Sequence, residues 1–160
     1  MMLLSTRGLS RHFGGLKAVE NVDFDLPEGQ VRALIGPNGA GKTTYVGLLS
    51  GRIPASAGSV TFDGQNITHL PAHQRIRAGM AYTFQITSIY GRLSVQENVA
   101  LALRWRTGGN EAATTERASD ALERVGIAER ADQLAGDLSY GHQRLLEIAM
   151  GISQQPRLLI

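Results

Sequence analysis

The sequence predicts an α/β fold in which antiparallel strands come first, a strand, glycine loop and helix follow, and a group of helices is inserted after them. Three observations predict it. Apolar and polar residues alternate through the first segments, as in Val22-Asp23-Phe24-Asp25-Leu26. A short apolar run, Val31 to Ile35, stops at a glycine-rich turn that opens a helix. Beyond residue 90 the apolar spacing changes from two to three and four, the change that separates strands from amphipathic helices.

Taken in order, Leu3 to Phe13 and Val19 to Leu26 read as half-exposed antiparallel strands before a Pro27-Glu28-Gly29 turn. Val31 to Ile35 is the next strand, and Lys42 to Leu49 the helix that its loop feeds. Gly58 to Phe62 is a strand ending in an Asp63-Gly64 turn, Ala72 to Arg77 a short helix, and Met80 to Phe84 one more strand. Ser94-Val95-Gln96-Glu97 is a capping box, so a helix starts there, with Val99, Ala102 and Leu103 on its apolar face. After a Gly108-Gly109 loop, Glu111 to Val125 is a second amphipathic helix closed by Gly126. Ser139 caps the last helix, where Leu145, Ile148, Ala149 and Ile152 recur at helical steps, and Pro156 ends it. Arg157 to Ile160 begins a buried strand in which the sequence stops, and a truncated domain is expected.

A chain of 160 residues suits one domain with a real core. Hydrophobic content of 42% and charged content of 19% is globular and leaves no room for a long disordered tail. The net charge of +2 is spread out, and no basic run marks a nucleic-acid patch. With no cysteine there are no disulfides, thiolate metal sites or cysteine nucleophile, which fits a reducing, cytoplasmic setting. No stretch approaches the roughly 20 apolar residues that span a bilayer, so any membrane span is expected from a partner.

Chemistry concentrates in Gly36-Pro37-Asn38-Gly39-Ala40-Gly41-Lys42-Thr43. A triphosphate carries negative oxygens that need donors, and consecutive backbone N–H groups leading into a helix N-terminus supply them. Glycine at positions 36, 39 and 41 lets the loop wrap phosphate, Lys42 reaches the outer phosphoryl oxygens, and the Thr43 hydroxyl can hold Mg²⁺. The bland alternative is a glycine-rich turn with an incidental lysine. The flanking strand and helix favour the phosphate loop, and a dinucleotide fold needs a different spacing. ATP with Mg²⁺ is the expected ligand.

Three segments, Gly36 to Thr44, Tyr82-Thr83-Phe84-Gln85 and Leu138-Ser139-Tyr140-Gly141-His142-Gln143, resemble in order and spacing the Walker A loop, Q-loop and signature sequence of the ABC-type ATPases. Within that family, Phe13-Gly14-Gly15-Leu16-Lys17-Ala18-Val19, Phe84-Gln85, Glu97-Asn98-Val99 and Leu138 to Gly141 are most similar to the ATPase subunits of branched-chain amino-acid importers. The resemblance implies a P-loop NTPase core with an N-terminal antiparallel β-subdomain over 1–89, an inserted helical subdomain over 90–137, and the signature helix with the start of the Walker B strand over 138–160. Pro37, Asn38, Ala40 and Thr44 complete the ATP loop. Phe13 stacks on adenine, Gln85 helps hold Mg²⁺ at the hinge of the helical subdomain, and Ser139, Tyr140, Gly141 and His142 meet the ATP of a second subunit.

The partners so implied are a second ATPase subunit in a head-to-tail dimer, homo- or heteromeric, membrane permease subunits and, through them, a solute-binding protein. The location is then cytoplasmic, peripheral on the inner face of the plasma membrane. Two departures stand out. His142 replaces the usual glutamine, and the residues end before the acidic pair that completes the family's catalytic site, so the 160 residues are expected to bind ATP and scarcely hydrolyse it. An ABC-type ATPase coupled to nucleic acid and a P-loop metabolite kinase are the alternatives; the first lacks its coiled-coil insertions or tandem cassette here, and the second leaves the signature unexplained. His69 and His73 flank Pro71 with no third ligand near, and read as solvated loop residues. Glu147, between Leu146 and Ile148 in the last helix, reads as structural.

Overall fold

The computed structural model describes residues 1–83 and 88–160, and the chain divides into two units, Met1–Ala78 and Gly79–Ile160. In the first, β1 (Met2–Phe13) and β2 (Leu16–Pro27) form an antiparallel hairpin whose tip pairs Phe13 with Leu16. On the other edge of β1 lies β3 (Ala57–Phe62), followed by the short β4 (Gln65–Asn66), giving the order β2-β1-β3-β4. The turn between β3 and β4 is Asp63-Gly64, with φ of 49° and 76°. That pair of positive angles is the twist a two-residue hairpin needs, and explains why Asp-Gly stands there.

Leu4, Leu9, Val60 and Phe62 fill the buried face of this sheet. Register slips on both edges of β1 near Gly8, which has φ of 56°. Across from it Gly58, φ 84°, would drive a Cβ into the Gly8 backbone. Two glycines therefore let β1 and β3 touch where the sheet bends. Helix α1 (Lys42–Ser50) buries Tyr45, Leu48 and Leu49, and α2 (Ala72–Arg77) lies where the sequence predicts it.

Val31 to Ile35 departs from expectation. It forms no strand, and Val31 and Ile35 are 98% and 93% exposed. A buried strand needs hydrogen-bonding neighbours as well as apolar side chains, and among the described residues no strand pairs with this segment. Apolar content alone therefore misassigned it.

In the second unit, α3 (Val95–Thr107), α4 (Glu111–Val125) and α5 (Tyr140–Ser153) pack around Val95, Val99, Leu103, Ala121, Leu122 and Leu146. Ser94 and Glu97 make the expected capping box, Asn110 caps α4, and Gly126 closes it with φ of 74°. The expected strands from Met80 and Arg157 meet as a parallel pair, β5 (Met80–Ala81) and β6 (Leu158–Leu159). The ladder continues as Thr83 N donates to Ile160 O at 2.8 Å.

Candidate nucleotide site

The loop from Gly36 to Gly41 opens α1 without any side-chain cap and with no acidic residue in the first helical turn. The first N–H groups of a helix have no partner within it, so the turn at Lys42, Thr43 and Thr44 presents donors and the positive end of the helix dipole. Its approach is fixed by glycine. Gly41 has φ of 79°, and a Cβ there would strike the carbonyl oxygen of Ala18 on β2. Gly39, φ 84°, needs glycine for its backbone angle alone. At Gly36 a Cβ would sit 3.2 Å from that of Ala40. The loop is thus wrapped tightly on itself and seated on β2.

Lys42 folds back over this turn, and its Nζ donates to the carbonyls of Gly36 at 2.6 Å and Pro37 at 2.8 Å. The ammonium is held by neutral acceptors and, among the described residues, forms no ion pair with a carboxylate, so its charge is available to an anion. Beside it a hollow of about 290 Å³ is lined by Ala18, Val22, Phe24, Ala40, Lys42 and Tyr45. Amide donors, one ammonium and the exposed Thr43 hydroxyl form a donor set that fits polyphosphate with Mg²⁺. Pro37 and Asn38 are exposed.

Phe13 belongs to the same unit. It ends β1, is 44% exposed, and pairs with Leu16, two residues before the Ala18 carbonyl that receives Gly41. At strand rise that is about 7 Å along β2. The aromatic and the phosphate loop are therefore both set against the start of β2.

The expected signature residues open α5 in the second unit. Ser139 is the N-cap, accepting from His142 N at 3.4 Å, and its Oγ shares a 2.8 Å hydrogen bond with His142 Nδ1. Tyr140 is 65% exposed, and Gly141 has open space where a Cβ would stand. Gln85, and with it Phe84, lies outside the described residues.

Sequence reasoning missed the roles of Arg75 and Asn98 in holding these elements in place. Arg75 is 2% exposed and donates only to carbonyls: Leu48 and Leu49 at the end of α1, Thr68, and Leu70. Burial lowers its basicity from the usual value, yet its cation meets the negative end of the α1 dipole. Asn98, fully buried, clasps Tyr90 through both its backbone groups. Glu147 is indeed structural: one oxygen accepts from Ser88 N and the other from Arg144, each at 2.6 Å. Its place beside Leu146 and Ile148 in the last helix was the sequence signal for that role.

The family model described as ABC transporter matches residues 19–160. The ATP-binding protein LivG of high-affinity branched-chain amino acid transport, from Salmonella typhimurium, is 37% identical over 174 residues, covering 99% of this chain and 68% of LivG. The lipopolysaccharide export system ATP-binding protein LptB of Escherichia coli is 34% identical over 160 residues, covering 100% of this chain and 66% of LptB. The solved ATP-binding cassette MJ1267 superimposes with a TM-score of 0.89 at 28% identity, over 99% of this chain and 68% of that one. The chain thus spans about two thirds of the length of these proteins.

Proposed function

Because this chain belongs to the ABC transporter family of ATP-binding, ATP-hydrolysing subunits, we propose that it powers an importer of branched-chain or related amino acids. Identity of 37% to LivG supports that solute class. The 34% identity to LptB favours lipopolysaccharide export as the second reading. Uptake of labelled leucine by vesicles carrying the chain with its own permease separates them.

In this reading Gly36 to Thr44 cradle the phosphates, Lys42 pairs with the outer phosphoryl oxygens, and Phe13 stacks on adenine. Thr43 and Gln85 hold Mg²⁺, which supplies charge neutralisation at those oxygens. Lys42 and Gln85 are the catalytic residues within these 160 positions. The core spans 1–89, the helical subdomain 90–137 and the signature segment 138–160. Ser139, Tyr140, Gly141 and His142 meet the ATP of a second ATPase subunit in a head-to-tail dimer, where an uncharged helix start and a small residue suit an anion. Closure on ATP and opening on hydrolysis drive the permease subunits, supplied by a solute-binding protein. Docking on the permease is peripheral, on the inner face of the membrane; among the described residues no helix is long and apolar enough to cross it. No nucleic acid is involved.

The observation that carries the proposal is the Lys42 ammonium held over an uncapped helix start seated on β2. Replacing Lys42→Ala removes one charged donor, and Mg·ATP binding by calorimetry should weaken about tenfold to a hundredfold. Unchanged affinity in folded variant protein would sink the reading.

A further inference from the structure

Phe13 does not stand alone at the hairpin tip. Arg11 lies two residues before it on β1, on the same face of the strand, and its guanidinium carbon sits 4.5 Å from the centre of the Phe13 ring. The guanidinium is itself anchored, since Nη1 donates to the Pro54 carbonyl at 3.0 Å. That segment is fixed to β1 in turn: Ser56 N donates to Ser10 O at 2.8 Å, and Ser56 Oγ accepts from His12 N at 3.1 Å. One face of the ring is therefore occupied by a cation that has little freedom to leave. The opposite face is the one left for a ligand.

We propose that Arg11 is a specificity-determining positioning residue for nucleotide binding, forming with Phe13 a two-layer platform that selects an electron-rich purine base. An aromatic ring carries negative charge on its faces, which repels the π cloud of a stacked base. A cation against one face draws that density toward itself. The other face becomes less negative and a better surface for adenine, the more so for a purine, whose π system is larger than a pyrimidine's. Arg11 also fixes the orientation of an otherwise exposed ring, so less rotamer freedom is lost when a base arrives.

This inference rests on Phe13 being the base-stacking residue, and the test separates the two. Dissociation constants of the full chain are measured for Mg·ATP, Mg·CTP and magnesium tripolyphosphate, which has the phosphates and no base. The tripolyphosphate-to-ATP ratio isolates base recognition from any general effect of removing a positive charge. Arg11→Met should lower that ratio about two- to fivefold, the range of an exposed cation–π contact, and should narrow the preference for ATP over CTP. Arg11→Lys, which keeps a cation, should recover part of both. Phe13→Ala should bring the ratio close to one.

A ratio unchanged in Arg11→Met but collapsed in Phe13→Ala overturns the role of Arg11 and leaves Phe13 standing. A ratio unchanged in Phe13→Ala overturns both. A lower melting temperature with an unaltered ratio, or a lysine variant no better than the methionine one, also overturns the proposal.

Discussion

Tyr45 carries the link between the phosphate-loop helix and the sheet behind it. It is 6% exposed, meets Phe24 edge to face at 6.3 Å, and hydrogen-bonds Thr6 Oγ1 at 3.1 Å. Thr6 spends its own proton on the Val22 carbonyl, so the phenol is the donor and must stay neutral. Burial pushes the Tyr45 hydroxyl above its ordinary value of 10.0. A group whose folded value is raised contributes stability that is complete below the unfolded value and is lost as pH rises through the folded one. Urea midpoints should therefore show Tyr45→Phe less stable than the parent by about 1 kcal/mol near neutrality. Above pH 10 that difference should shrink, because only the parent must lose its proton. The sequence marked positions such as Gly41, Lys42 and Phe13 by residue type and spacing. It could not mark Arg11 over Phe13 or Tyr45 on Thr6, since those contacts depend on rotamers and on which strands adjoin.

Helix α1 is nine residues long, too short to persist on its own strength, so both its ends need support. The N-terminus rests on Ala18 through Gly41, and the C-terminus on Arg75, which satisfies the carbonyls of Leu48 and Leu49. Arg75→Met takes a donor from four carbonyls, of which Leu48 keeps the longer 3.3 Å bond from Gly51 N, and should destabilise the protein by about 2–4 kcal/mol in urea unfolding. Lysine at 75 should restore only part, because a point ammonium cannot span the same acceptors. Helix ends were legible where local chemistry announces them, at Ser94, Gly126 and Ser139, whereas the Asn110 cap of α4 went unread. The pairing of β5 with β6 was not, because register between segments nearly eighty residues apart has no local signature. Val31 to Ile35 misled for the same reason, its apolar run saying nothing about the neighbour it would need. The two-residue β4 is held by its turn and had no pattern of its own to read.

Over the whole molecule, the expected ATP loop and its aromatic belong to Met1–Ala78, and the expected signature to Gly79–Ile160. A ligand that binds only the folded state stabilises by mass action, about 2.7 kcal/mol at a hundred times its dissociation constant. Hydrogen exchange with saturating Mg·ATP should show that gain first at the amides of 36–45, the turn that presents the donors. Uniform slowing across the helices around Leu122, with no preference for the loop, would contradict the assignment. Where β1 and β3 touch, Gly58 has φ of 84° and the Gly8 backbone in place of a side chain, so in a saturation library sorted for intact protein position 58 should remain glycine alone. Gly64 has φ of 76° with open space around it and should also accept asparagine, which tolerates that left-handed angle. One narrow point in the mutational landscape of this chain therefore lies at a crossing of two strands, as tightly closed to side chains as Gly41 in the phosphate loop.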